Sequence, residues 1–190
     1  FDIFFPESFD DLFDIFLIMA WPKVLTTDNN GRYNAMQNLG ILASNDIVKF
    51  CGHIHRLLPV MASSLIDPDR AIVLHALRLV KMIGKSSGHV LETGSASHEE
   101  PMSGQLLLFW SEILRPKTFQ MIEDRNWSTL KAAFCDCISA VDEHVFNILP
   151  TERRHLCVTY LLNNCSGLDD NTVMSSALRG IGMLVTYQSS

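Results

Sequence analysis

LLPVMASSLIDPDRAIVLHALRLVKMIG, residues 57–84, is the stretch from which the rest of the chain can be organised. Ile54, Leu57, Leu58, Met61 and Leu65 recur at offsets 0, 3, 4, 7 and 11, which is one apolar face of an α-helix. Val73, Ala76, Leu77, Val80 and Ile83 draw a second such face. Between the two lies Asp67-Pro68-Asp69-Arg70. The Asp67 carboxylate is expected to cap the second helix, with Pro68 at the first helical position, where no N–H is needed. Asp69 then adds negative charge where the helix dipole favours it. The result is a helical hairpin with two apolar faces that it cannot bury alone.

On the N-terminal side, Phe9, Leu12, Phe13, Phe16, Leu17 and Ala20 share a helical face, which Trp21-Pro22 ends. Thr26 to Gly31 is turn-forming, and Tyr33 to Ala43 resumes a helix with Ala35, Leu39 and Leu42 on one face. Ser44-Asn45-Asp46 opens a helix from Ile47 to Leu65, broken or kinked near Gly52 and at Pro59. On the C-terminal side, Lys85 to Ser103 is rich in Gly and Ser and predicts one long mobile loop. Leu106, Leu107, Phe109, Trp110 and Leu114 follow on a helix that Pro116 breaks. Asn126 is the expected cap of the next helix, where Leu130, Ala133, Phe134, Cys137 and Val141 repeat the same offsets. Thr151–Cys165 and Thr172–Tyr187 make a last hairpin, joined by residues 167–171, with Val173, Ala177, Ile181 and Leu184 on one face. The chain is thus expected to hold hairpins at about 8–43, 45–84, 104–141 and 151–187, with the loop at 85–103.

Small residues recur in the second helices at Ala35, Ala76, Ala133 and Ala177, separated by 41, 57 and 44 residues. Allowing for the long loop, the period falls near the ~40–47 residues of HEAT and armadillo units. The expected fold is all-α: a right-handed α-solenoid of about four such hairpins, each touching only its neighbours. A compact helical bundle is the alternative.

Composition agrees with a packed chain. Apolar residues make up 47% and charged residues 19%, enough for a continuous core and a solvated face. A net charge of −6 argues against nucleic acid or an anionic membrane surface as the main partner, since both require basic patches. The most apolar window, Leu12 to Trp21, contains Asp14 and is half the length of a bilayer span, so no membrane insertion is expected. No basic region precedes it, as a signal peptide would require. Five cysteines, an odd number mostly on helical patterns, predict reduced thiols in an intracellular protein, cytoplasmic or nuclear. Asn126-Trp127-Ser128 and Asn164-Cys165-Ser166 match the glycosylation sequon, a pattern frequent by chance. Phe1 at the start and an apolar helical run at the end suggest an internal piece of a longer array. Such a piece would expose apolar surface at both ends and is expected to self-associate.

Beyond the period, FW at 109–110, STLKAAFCDCISAV at 128–141, ILPTERRHLCVTYLL at 148–162 and SSALRGIGMLV at 175–185 occur in an informative order. With GRYNAMQNLGILA and DPDRAIVLHALRLV, they resemble HEAT-repeat proteins, specifically the HEAT-repeat-containing protein 6 family, over most of the chain. The resemblance implies a large intracellular α-solenoid without catalytic residues, and it places the second helices on the concave side. That points to Arg70, His75, Arg78, Lys81, Lys131, Asp136 and Arg179 as protein-contact residues. HEAT units usually carry Val-Arg early in the second helix, the Arg joining an Asp ladder. Here the pairs are Val73-Leu74, Leu130-Lys131 and Val173-Met174. Only Lys131 matches that role, and no regular Asp–Arg ladder is expected.

Enzyme chemistry finds little support. Cys51, His53 and His55 are two residues apart on a helix and project in divergent directions, so they do not converge on a metal ion. Cys135-Asp136-Cys137 fails by the same geometry, and Cys137 falls on the apolar stripe. Gly180-Ile181-Gly182 lacks the strand and third glycine of a dinucleotide site and suits close helix packing instead. Asp10, Asp11 and Asp14 favour a helix start. No catalytic, cofactor or metal residue is therefore assigned. The expected function is a non-enzymatic scaffold or adaptor binding other proteins through its helical surfaces. The alternative is an importin-like transport adaptor that takes basic cargo peptides. Its Trp-x-x-x-Asn repeat is absent, and the expected inner helices carry more Arg, Lys and His than acid.

Overall fold

The computed structural model describes residues 8–19, 29–93, 102–166 and 170–187. The described chain is all helical, with no strand. In order the helices are α1 (Phe9–Met19), α2 (Asn29–Asn45), α3 (Ile47–Gly52), α4 (Ile54–Ser64), α5 (Arg70–Thr93) and α6 (Met102–Ile113). They continue as α7 (Pro116–Asp124), α8 (Ser128–Ile138), α9 (Glu143–Ile148), α10 (Thr151–Cys165) and α11 (Asn171–Tyr187). The Leu17 side chain, Ala20, residues 26–28 of the expected turn, residues 94–101 of the expected loop and residues 167–169 of the last turn lie outside the described residues, whereas residues 29–31, expected in the turn, already form the start of α2.

Local chemistry starts and stops these helices. Ser8 and Asp11 exchange side-chain-to-backbone hydrogen bonds, a reciprocal cap for α1. Asp46 accepts from the Lys49 N–H ahead of α3, and Asp170 accepts from the Thr172 and Val173 N–H groups ahead of α11. Gly52 ends α3, and His53 separates it from α4, which carries Pro59 within its length.

Most residues of the expected apolar faces are buried, although Leu12 is exposed and Leu42, Leu58, Leu107, Ala133 and Ile181 are half-buried. Ile54, Leu57, Met61, Val73, Ala76, Leu77, Val80 and Ile83 are all inaccessible to solvent. Through these faces α2 packs on α5, α5 on α8, and α8 on α11, giving a row of four helices. Behind the row, α4 meets α6, α6 meets α9, and α7 meets α10. The helix α1 leans on the α3–α4 corner: the Phe13 ring stacks on His53 at 4.2 Å and meets Phe50 edge-on. His53 and Arg56 pair with Asp10 and Asp14 of α1 at 3.0 and 2.8 Å.

Three local expectations are corrected. The helix α5 begins at Arg70, so Pro68 lies before it; Asp69 supplies the cap, accepting from the Ala71 N–H at 2.8 Å. Asp67 is drawn instead into tertiary contacts. Its carboxylate receives Arg32 Nε at 2.7 Å, and its backbone carbonyl accepts from Arg125 Nη2. With Arg115 donating to the Ala62 carbonyl, three arginines from different elements pin the α4–α5 corner. Second, α5 runs on to Thr93 through Gly88, so the first part of the expected loop is helical. A helical glycine costs only about 1 kcal/mol, whereas each residue added to an existing helix gains a hydrogen bond. Third, Asn126 takes positive φ (42°) and turns the chain out of α7; Trp127 occupies the cap position of α8 without a side-chain cap.

Candidate functional site

The row of α2, α5, α8 and α11 carries a chain of polar contacts on its solvent side. At one end, His75 of α5 meets Tyr33 of α2, ring edge to ring face at 5.0 Å, with Nε2 3.3 Å from the tyrosine hydroxyl. Burial lowers the His75 pKa below its ordinary value, and the nearby Arg78 charge lowers it further. At the other end, Asp136 of α8 is shared between two helices. Lys81 Nζ of α5 donates to its Oδ2 at 2.6 Å, and Arg179 Nη2 of α11 donates to its Oδ1 at 3.0 Å. Arg179 also donates to Ser176 Oγ at 2.8 Å. Burial of Asp136 acts to raise its pKa, but the hydrogen bonds from Lys81 and Arg179 prevail and hold it below the ordinary carboxylate value.

Beside this triad is a cleft of about 680 Å³ between α5, the turn after α8 and the end of α11. Lys81, Lys85 and Arg179 line it with Asp136 and Asp142; Ala140, Gly182, Met183 and Tyr187 supply its less polar wall. Two contacts hold it in shape. The Tyr187 hydroxyl donates to the Val141 carbonyl at 2.7 Å, tying the end of α11 to the turn after α8. On the opposite wall Gly84 abuts that turn so closely that a Cβ there would lie 2.5 Å from the Ala140 carbonyl oxygen and 2.9 Å from Trp110. The Asp142 carboxylate accepts from the His144 N–H and starts α9, so part of its capacity is spent on the fold.

Of the seven residues indicated by sequence, Lys81, Asp136 and Arg179 are brought together. Arg70 and Arg78 lie further along α5; Arg70 sits over the Trp127 ring at 5.2 Å. His75 stands at the α2 side, in contact with Tyr33. Lys131 is elsewhere: it pairs with Glu123 of α7 at 2.8 Å, not with a residue of α5 or α11. The polar link between α5, α8 and α11 therefore runs through Asp136, the residue just before the stripe cysteine Cys137, and not through Lys131. Lys131 lines a second, more polar cleft of about 450 Å³ with Tyr160, Asn164 and Asp170. There the Tyr160 hydroxyl has no hydrogen-bond partner among the described residues, and burial drives its pKa upward.

Lys85, Asp142, Met183 and Tyr187 complete the main cleft and were not singled out by sequence. Lys85 had a signal, standing four residues after Lys81 on the same helical face, but Gly84 reads as a helix end. In the structure Gly84 is a packing contact inside a continuing helix. Gly180 acts similarly, its absent Cβ making room for Leu161, whereas the space at Gly182 is open. Cys51 is buried beside His53, with its thiol pushed up to about 12 by burial, and His53 is engaged with Asp10. Among the described residues, no helix is long and apolar enough to cross a membrane. No protein-family model matches the chain.

Proposed function

We propose that the helical pairs are HEAT-type units of a right-handed α-solenoid, and that the protein is a non-enzymatic scaffold binding another protein along its row of second helices. The supporting observation is the serial packing of α2 on α5, α5 on α8 and α8 on α11. Serial packing of second helices leaves one side of every helix in the row open to solvent, and side by side these make an extended surface. Arg78, Lys81 and Arg179 stand on that surface, and polar links across it keep the helices in register. Buried free thiols at Cys51, Cys135, Cys137 and Cys157 favour a reducing, intracellular setting, cytoplasmic or nuclear.

Photo-crosslinking residues placed at Asn38, Arg78 and Ser175, one on each of three second helices, test this in cells. Crosslinks to one common protein, absent when the probe is moved to Lys117 in the other layer, are the expected result. Equal capture from both layers, or none from the row, would refute it.

A further inference from the structure

The scaffold role leaves open what chemistry the partner presents, and the α5 surface bears on that. Arg70, Leu74, Arg78, Lys81 and Lys85 fall within about 80° of arc at 100° per residue, so they form one stripe. From Arg70 to Lys85 the helix has no Asp or Glu, and the stripe extends about 22 Å at 1.5 Å per residue. It belongs to a chain whose net charge is −6, so the cations are segregated here rather than spread evenly.

The cleft at the end of the stripe has donors to spare and few acceptors. Both carboxylate oxygens of Asp136 are occupied, one by Lys81 and one by Arg179. A lysine ammonium has three N–H donors and a guanidinium five. One Lys81 contact and two Arg179 contacts, both through Nη2, leave donors on each residue. Lys85 is exposed and adds three more at the rim. Asp142 offsets one charge, but it is partly engaged in starting α9. Next to these donors, Met183 (42% exposed) and Gly182 offer a less polar wall. At about 680 Å³ the cleft is large enough for one or two side chains, within the usual range for ligand sites.

On the basis of the scaffold role, we propose that the row binds an extended acidic segment of a partner protein. Its carboxylates lie along Arg70, Arg78 and Lys85, and a Leu- or Met-sized side chain beside one carboxylate enters the cleft between Lys81 and Met183. A small free anion would engage only the cleft, leaving most of the stripe without a counter-charge. About seven extended residues at ~3.3 Å each span the whole stripe. A nucleic acid could match the charge, but its backbone has no apolar side chain for the Met183 wall.

The probe is a fluorescein-labelled ten-residue peptide of alternating Glu and Leu, followed by anisotropy against the whole protein. Its controls are the same peptide with Lys for Glu and a ten-nucleotide single-stranded DNA. Saturable binding of the acidic peptide is expected, weakening with salt and falling about tenfold or more in the Arg78→Glu, Lys85→Glu double variant. Both positions are exposed and outside the Asp136 triad, so circular dichroism should show an unchanged fold. Lys117→Glu, on the opposite layer, should alter affinity less than twofold. No saturable binding, binding insensitive to the double reversal, or equal binding of the DNA with the same sensitivity would overturn the proposal. Failure of the peptide with crosslinks still forming from Asn38, Arg78 and Ser175 would remove the acidic-segment proposal and leave the scaffold role standing. Absence of those crosslinks would remove the scaffold role itself.

Discussion

Replacing Gly84 with alanine puts two effects of opposite sign into competition. Alanine is the better helix former by about 1 kcal/mol and loses less backbone entropy on folding. The added methyl would nevertheless stand 2.5 Å from the Ala140 carbonyl oxygen, 2.9 Å from the Ala140 Cβ and 2.9 Å from Trp110 Cζ2. The carbonyl is backbone, and Trp110 is fully buried with Phe109 edge-on to its ring, so neither can readily swing aside. To reach even 3.0 Å, α5 and the turn after α8 must part by about 0.5 Å, which loosens packing along their shared face. Overpacking of this kind costs about 1–3 kcal/mol. Set against the gain in helix propensity, this leaves a net destabilisation between about zero and 2 kcal/mol, or a fall in Tm of up to roughly 8 °C for a chain of this size. Gly40→Ala is the matched control. It is also helical, nothing lies within 4 Å of its would-be Cβ, and it should stabilise by about 0.5–1 kcal/mol. Gly180→Ala should fall between the two, because the atoms it meets are the rotatable end of Leu161. Urea unfolding of the three variants is the assay. If Gly84→Ala is as stable as Gly40→Ala, α5 does not approach the Ala140 turn as described.

Other outcomes follow from single contacts. Asp67→Ala removes a carboxylate that is 8% exposed and leaves Arg32 without its 2.7 Å partner; a loss of about 2–4 kcal/mol in urea unfolding is expected, and under about 0.5 kcal/mol would show that the corner does not depend on it. Thiol labelling of the native protein should modify Cys165 first, since Cys51, Cys135 and Cys157 are buried with pKa values pushed up to about 12 and Cys137 is pushed up as well; rapid native labelling of Cys137 would contradict its burial. The Asp136 pKa is depressed in the folded state, so the stability it contributes is present above its unfolded value and disappears as pH falls through the folded value; between about pH 5 and pH 3, wild type should lose more stability than Asp136→Asn, and parallel pH curves would argue against the shared ion pair.

Much of the helical layout was legible because it rests on local rules. The offsets 0, 3, 4, 7 and 11 put Ile54, Leu57 and Met61 on one buried face, and the same arithmetic holds for Leu130, Phe134 and Cys137. Caps that act over two or three residues, such as Asp46 and Asp170, are local too, although Asn126 shows that a good capping residue can serve another purpose. The candidate site was legible only in part. Periodicity places Lys81, Asp136 and Arg179 on second helices; it carries no information on how far one helix is shifted along its neighbour.

That shift is what tertiary packing decided. Lys81 and Asp136 are 55 residues apart, and Asp136 and Arg179 are 43 apart, so their meeting depends on how α5, α8 and α11 slide against one another. Gly84 against Ala140 and Gly180 against Leu161 limit that sliding by steric contact. The same packing explains why Asp67 left the helix cap for Arg32: buried at the corner, its charge needed a cationic partner more than α5 needed a second cap, since Asp69 was already in place. From its own pattern of apolar residues, the sequence determines that the chain is helical and which faces are buried. Which polar side chains meet across those faces follows from helix register, because an ion pair forms or fails within about an ångström and sequence period is blind at that scale.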